Sequence, residues 1–425
     1  MNEIILAPHK EESLLRFHPW VFSGAIRKIV LDKNYPFDEI AEGEIVLVRS
    51  SEGKVLGVGH WQIGSIAVRI LEFGVSELPE HFWEDRIRAA FEVRCKLNLV
   101  RPQSSITSHP SPLTTQSFPL KGDEKGSIND TFRLIHGEGD FLPGLIVDIY
   151  DDTAVIQAHS VGMHKSRMLV ADAVLKVVPF VKNVYYKSEG TLPFKAPIPE
   201  EEKRDQYLYG EPTSCVGTEN GLRFGIDWLR GQKTGFFVDQ RENRALLERY
   251  SEGKDVLNMF CYTGGFSVYA LRGGAKRVDS VDCSEKAIEL VRENVARNFP
   301  DCANHNAVVD DAFHFLENNK NQYDLIILDP PAFAKHRGAI KNALQGYKRL
   351  NAKAFQQIRP GGILFTFSCS QAIDKEMFRL AVFSAAAMSG RKVRILHQLH
   401  QPQDHPVNIY HPEGEYLKGL VLWVE

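Results

Sequence analysis

The stretch Val256-Leu257-Asn258-Met259-Phe260-Cys261-Tyr262-Thr263-Gly264-Gly265 reads as a short buried strand that enters a glycine turn and then helix-compatible sequence. Glycines at such a turn let the backbone approach a ligand closely, in the crevice beyond the carboxyl ends of parallel strands. Working outward, strand patterns over 255–260, 277–281, 323–328 and 363–367 alternate with helical ones that include 267–271 and 285–298. That alternation predicts a doubly wound, mostly parallel sheet from about Leu222 onward.

The strand over 277–281 delivers Asp282, about twenty residues after Gly264, a spacing at which a carboxylate can accept from two ribose hydroxyls. A glycine turn beside a helix-capping aspartate is the plainer alternative. The turn departs from G-x-G-x-x-G, which counts against a dinucleotide, because a pyrophosphate needs the helix N-terminus and the third glycine. A nucleoside cofactor without pyrophosphate fits better, and S-adenosylmethionine is the candidate. Asp311, in Val309-Asp310-Asp311-Ala312-Phe313, stands where a further strand should end and could meet the adenine amino group.

The next strand ends Leu328-Asp329-Pro330-Pro331-Ala332-Phe333, with two prolines holding the exit extended. Asp-Pro-Pro-aromatic endings occur in enzymes that methylate planar nitrogen-bearing rings. Asp329 can bond a base edge and Phe333 offers a stacking face. Forty residues on, Gly361-Gly362-Ile363-Leu364-Phe365-Thr366-Phe367-Ser368-Cys369-Ser370 delivers a thiol at a strand end. Consecutive strands of such a sheet are usually adjacent, so Asp329 and Cys369 should share one crevice. The pyrimidine C5 is a weak nucleophile; thiolate addition at C6 makes it enamine-like, able to take a methyl group before loss of the C5 proton expels the thiol. Asp329 would hold N3 and the exocyclic amine, and the target base would have to leave its stack.

The 425 residues, 43% of them apolar, exceed one ordinary core, so two or three domains are expected. A net charge of −3 does not advertise nucleic-acid binding. Six cysteines without a C-x-x-C pair indicate neither disulfide framework nor zinc knuckle, and no metal is expected. Cys95, Cys261, Cys283 and Cys302 read as inert buried fillers. With no long apolar run and no signal-like N-terminus, no membrane is expected and the cytoplasm is the default location.

Short β-rich runs with turn punctuation over 44–48, 54–59 and 65–71 suggest a small β module, and 81–97 an amphipathic helix. The 22 residues 101–122 hold 12 Pro, Ser or Thr and read as a loop. Strands near 131–135, 145–149 and 154–158 with a helix near 165–177 suggest a compact α+β domain. The charged run 200–204 reads as an exposed loop.

Taken together, the whole chain resembles the large-subunit ribosomal RNA cytosine-C5 methyltransferases that carry an N-terminal PUA domain. The carrying segments are His18-Pro19-Trp20-Val21-Phe22-Ser23-Gly24-Ala25-Ile26, Gly137-Glu138-Gly139-Asp140-Phe141-Leu142-Pro143-Gly144-Leu145 and Gly231-Gln232-Lys233-Thr234-Gly235-Phe236-Phe237-Val238-Asp239-Gln240-Arg241. To these add the Asp329 and Cys369 motifs, Asp404-His405-Pro406 and Tyr416-Leu417-Lys418-Gly419-Leu420. The resemblance implies a multidomain α/β chain: a β-barrel-like PUA module over 1–75, a central α+β domain over 76–212 and a doubly wound Rossmann-like methyltransferase sheet over 213–425. It implies Cys369 as nucleophile and Asp329 as base-binding acid. It also implies S-adenosylmethionine held by Thr234, Phe236, Gln240, Phe260, Tyr262, Thr263, Gly264, Gly265, Asp282, Asp311, Ala312 and Asp329, and ribosomal RNA as partner.

Two departures stand out: residues 1–75 hold eight Lys/Arg against ten Asp/Glu, and the 101–122 loop is longer than the family pattern requires. Other RNA cytosine methyltransferases place a second cysteine after Asp-Pro to help release product. Here Pro331 and Ala332 follow Pro330, so release must use water or Asp329. The rivals are nitrogen methylation of guanine or adenine, which needs no thiol, and a catalytically idle RNA-binding assembly factor. The target nucleotide, the form of the RNA and the oligomeric state, for which a homodimer is one candidate, stay open.

Overall fold

The computed structural model describes residues 1–100, 129–193, 198–212, 214–334 and 336–425; the 101–122 segment lies outside them. The chain forms two compact units. One takes Met1–Gly221, Ile226–Val238 and Gln403–Gly414; the other takes Leu222–Gly225, Asp239–Pro402 and Glu415–Glu425. The second unit is therefore not one uninterrupted run of sequence.

The first unit holds two sheets. A six-stranded sheet runs in spatial order Trp20–Phe22, Ile66–Phe73, Val55–Trp61, Ile45–Arg49, Glu3–Leu6, Ile26–Val30, antiparallel except for the pairing of Glu3–Leu6 with Ile45–Arg49. Its two end strands are consecutive in the chain, and Val21 and Ile26 reach the same core as Val46, Val48 and Val68. The sheet thus curls around its own apolar face, as a barrel does. A five-stranded sheet follows, in order Gln206–Tyr209, Asn183–Tyr186, Thr153–Ala158, Leu145–Tyr150, Thr131–His136. Helix Phe82–Lys96 buries Phe82, Ile87, Ala90 and Phe91 against it, the helical spacing visible in the sequence. The helix expected over 165–177 is two helices, Val161–Lys165 and Arg167–Val177, and Ser160 caps the first by accepting from the Met163 amide at 3.2 Å. The run 200–204, expected as loop, begins with the short helix Glu200–Lys203 behind Pro199, where three glutamates suit a helix N-terminus.

The second unit is built on a seven-stranded sheet. In chain order its strands are β1 (Asp255–Met259), β2 (Arg277–Asp282), β3 (His305–Val309), β4 (Tyr323–Leu328), β5 (Ile358–Ser368), β6 (Val393–Leu399) and β7 (Lys418–Val424). Its helices are α1 (Arg241–Glu248), α2 (Gly265–Arg272), α3 (Glu285–Asn298), α4 (Ala312–Asn318), α5 (Ile340–Gln357) and α6 (Lys375–Ser389). Spatial order is β3-β2-β1-β4-β5-β7-β6, with β7 antiparallel to both neighbours. In β4, Leu325 and Ile327 join one core with Phe266 and Ala270 of α2, while Ile326 and Leu328 join another with Tyr347 of α5 and Phe378 of α6. Burial on both faces explains why these strands read as continuous apolar runs. Each fully buried Leu or Ile contributes about 1.5–3 kcal/mol.

Candidate active site

The turn after β1 is tightly specified. The strand ends at Met259, one residue earlier than expected, because Phe260 turns to φ +59°. Tyr262 at φ +46° and Gly264 at φ +80° follow, so three of five residues sit in the left-handed region. Left-handed backbone at the two aromatic residues costs on the order of 1–3 kcal/mol each and has to be held in place by surrounding contacts. Asp282 Oδ2 accepts from the Tyr262 amide at 3.0 Å, and Asn294 of α3 donates to the Thr263 carbonyl at 2.9 Å. A Cβ on Gly264 would lie 3.0 Å from Val291, so both conformation and space call for glycine. Beneath the turn a polar thread runs from Asn258 through Ser267 and Ser280 to His305, each link between 2.6 and 2.8 Å. Burial pushes the His305 imidazole down to about 4, so it stays neutral in that thread.

Asp282 ends β2 with both carboxylate oxygens engaged, Oδ1 accepting from the Ser284 amide at 3.0 Å. A carboxylate offers about four acceptor positions, so capacity for two further donors remains. Asp311 caps α4 through Oδ1, which accepts from Phe313 and His314 at 2.9 and 3.1 Å. Ala312, behind that cap, packs into the core. Thr263 and Gly265 are buried, and a Cβ on Gly265 would lie 3.0 Å from Arg244.

Asp329 sits one residue beyond β4. Gln240 donates to its Oδ2 at 3.0 Å, and Gln240 is oriented by Asn243, which donates to Oε1 at 2.6 Å. Burial pushes the Asp329 carboxyl up to about 7, and nearby Asp239 pushes the same way; the Gln240 amide and Arg244 oppose them. Asp239 in turn accepts from the Tyr416 hydroxyl at 2.6 Å. The family resemblance implies Gln240 as a cofactor contact; its hold on the Asp329 carboxylate follows from a long-range approach that no spacing reveals.

Cys369 follows β5, and its sulfur lies 4.0 Å from the Pro330 carbonyl, beside the residue that carries the acid. The two strand ends are therefore adjacent, with the thiol against the residue that follows Asp329. Burial pushes the Cys369 thiol up to about 12, as do Asp329 and Asp239, while Lys418 pulls it down. The flanking serines face the other way. Ser368 and Ser370 both bond the Tyr347 hydroxyl at 2.9 Å, and Ser370 Oγ also accepts the Ala334 amide. They latch the strand end from behind rather than serve the thiol.

Phe333 corrects the expectation of a stacking face: its ring packs on Tyr347 with centroids 4.7 Å apart and lies over Gly346. Among the presumed fillers, Cys261 is buried, whereas Cys283 is exposed and Cys95 and Cys302 are half-buried. Thr234 and Phe236 belong to the first unit. There the Thr234 hydroxyl donates to Asp148 at 2.6 Å and meets the Tyr150 hydroxyl at 2.8 Å, which occupies that side chain.

One other constellation in the first unit gathers ligand-type atoms: His18, His411 and Glu413, all within 4.8 Å of one another. His18 Nδ1 accepts the Trp20 amide at 3.2 Å, so its neutral ring carries the proton on Nε2, the nitrogen nearest Glu413. That tautomer opposes metal ligation. Among the described residues no helix is long and apolar enough to cross a membrane.

Residues 200–412 match the family model of S-adenosylmethionine-dependent methyltransferases, and residues 4–73 match a PUA-like domain. The chain belongs to the S-adenosylmethionine-dependent methyltransferase family. Full-length relatives agree with that placement. The ribosomal RNA large subunit methyltransferase I of Aeromonas hydrophila is 38% identical over 99% of this chain and 98% of its own length. That of Pseudoalteromonas translucida is 36% identical over 100% and 99%. In fold, the methyltransferase is similar to a proposed S-adenosylmethionine-dependent methyltransferase from Streptococcus mutans, with TM-score 0.77, 22% identity and full coverage of both chains. A methyltransferase solved in complex with SAH gives TM-score 0.78, also at 22% identity and full coverage. The cofactor of this methyltransferase is S-adenosylmethionine. The strand-end turn fits it: a glycine with no room for a side chain and an acid with spare acceptor capacity suit a nucleoside, with no phosphate cradle required.

Proposed function

We propose that this methyltransferase forms 5-methylcytosine in large-subunit ribosomal RNA through a covalent adduct on Cys369. The observation that carries the reading is the Cys369 sulfur lying 4.0 Å from the Pro330 carbonyl, directly beside Asp329, because nitrogen methylation needs no thiol there. The names of the relatives support the RNA class. Bound S-adenosylmethionine supplies an electrophilic methyl group.

Asp282 would take the ribose hydroxyls and the exposed Asp311 the adenine edge, with the backbone from Phe260 to Gly265 lining the nucleoside and Gln240 and Ala312 beside it. Asp329, carrying a proton near neutral pH, would donate it to N3 as the Cys369 sulfur bonds C6, so that ring charge is neutralised as it forms. Once C5 carries the methyl group, loss of the C5 proton to water or to the Asp329 carboxylate expels the thiolate as the S–C6 bond breaks, and release of the N3 proton leaves neutral 5-methylcytosine.

The modules over 1–75 and 76–212 would bind the RNA and the one over 213–425 would carry the chemistry, in the cytoplasm, with a homodimer as one assembly. Mass mapping of ribosomal RNA from cells with and without the protein tests the reading. A missing 5-methylcytosine in the large-subunit RNA is the expected difference; a missing nitrogen methylation instead would contradict it.

A further inference from the structure

Lys418 is the first residue of β7 and pairs in register with Ser368, so its side chain begins one strand away from the Cys369 position. It is 4% exposed, and its ammonium nitrogen donates at 2.7 Å to the carbonyl of Ser370, the residue that follows Cys369. Among the described residues no carboxylate lies within ion-pair distance of it, although Glu415, Asp374 and Lys375 stand close enough to influence it. A buried ammonium without an anionic partner is costly, and a protein that keeps one generally has an anion for it at some stage of its work. Of the groups whose charge acts on this ammonium, the Cys369 sulfur acts most strongly, and it can become an anion without changing the fold. The other charged or titratable groups facing that sulfur are Asp329 beyond β4, Asp239 before α1 and the Tyr347 phenol of α5, none of which favours a thiolate.

We propose that Lys418 is the positioning residue for the nucleophile, its ammonium held against the Ser370 carbonyl so that positive charge stands beside the Cys369 sulfur as the S–H bond breaks, the proton leaves to water and the thiolate forms. This deepens the covalent reading and rests on it for its purpose. Cys369 and Lys418 influence each other in the required sense. The lysine pulls the thiol down, and the sulfur raises the lysine, which burial otherwise pushes down to about 8. Without this cation, burial and the neighbouring acidic groups would be left to hold the thiol in its unreactive form.

Alkylation of Cys369 by iodoacetamide, followed by peptide mass spectrometry on the full chain without RNA, reads the thiolate directly, with carbon–sulfur bond formation and release of iodide. At fixed pH, Lys418→Met should alkylate about tenfold more slowly than wild type, since removal of an adjacent opposite charge raises a pKa by about one unit or more. Lys418→Arg should recover most of the rate. Calorimetric S-adenosylmethionine binding certifies the fold of each variant. A Lys418→Met profile superimposed on wild type overturns the proposal.

Should the variants fail to fold, wild type alone decides. If the ammonium assists, the logarithm of the alkylation rate climbs with unit slope and flattens near the lysine's titration, because each further ammonium lost makes the thiolate harder to form. An uninterrupted unit slope from about pH 6 to 10 contradicts assistance. No RNA enters either assay, so a different methylated atom would undo the covalent reading and leave this thiol measurement standing.

Discussion

The Ser370 hydroxyl accepts the Ala334 amide at 3.2 Å, and so ties the loop that carries Asp329 to the strand end that carries Cys369. Behind this tie the Tyr347 hydroxyl holds both Ser368 and Ser370 in a buried setting. Tyr347→Phe takes one partner from each of two buried serine hydroxyls, and urea unfolding should show a loss of about 1–3 kcal/mol. Methylation should slow while cofactor affinity holds. An unfolding curve identical to wild type would remove the latch from the account.

Asp282 accepts one backbone amide on each oxygen, from Tyr262 and from Ser284. Asp282→Asn keeps the size but can accept on one oxygen only, so one turn amide loses its partner and a ribose hydroxyl loses its acceptor. S-adenosylmethionine affinity measured by calorimetry should fall by about 1–3 kcal/mol. Undiminished affinity would reassign Asp282 to turn geometry alone.

Asp329 gives a pH signature whose sign is fixed by its raised carboxyl, at about 7 in the folded protein. The unfolded carboxyl titrates near about 3.9. Because the folded state holds the proton more tightly, this group's stabilisation is fully present below the unfolded value and is lost as pH rises through about 7. Asp329→Asn should therefore be more stable than wild type at about pH 8, with the difference shrinking towards about pH 4. Its methylation should be largely lost at every pH. Parallel stability profiles for the two proteins would mean that the carboxyl is not raised.

The strand ends that deliver Asp329 and Cys369 were legible because each apolar run stops at a polar residue, and Asp282 by its spacing from Gly264; a parallel sheet gathers such ends in one crevice. The glycine turn was legible for the same local reason. Phe333 was misread because an aromatic after Asp-Pro-Pro suits a base and a helix equally, and only the packing of α5 decides between them. β6 escaped because it is not buried on both faces and shows no sustained apolar run, whereas β3 was marked only by the acid expected beyond its end.

Gln240 against Asp329 and Lys418 beside Cys369 depend on contacts 89 and 48 residues apart, the second measured to Ser370, and local pattern carries no information about such pairings. One signal for Lys418 was available: a lone lysine opening the apolar run Gly419-Leu420-Val421-Leu422-Trp423-Val424. The return of Gln403–Gly414 to the first unit left no mark in composition at all.

The covalent step admits a direct test. Large-subunit RNA transcribed with 5-fluorocytidine presents a C5 substituent that cannot leave as a proton, so elimination of the thiol stalls after methyl transfer. Wild-type protein, incubated with this RNA and S-adenosylmethionine, should yield a denaturant-resistant complex. Peptide mass spectrometry should place the nucleotide on Cys369, and Cys369→Ala should give no complex while still binding the cofactor. Normal methylation of unmodified RNA by Cys369→Ala, with the methyl group on a ring or exocyclic nitrogen, would contradict the account and leave Asp329 as the principal catalytic residue.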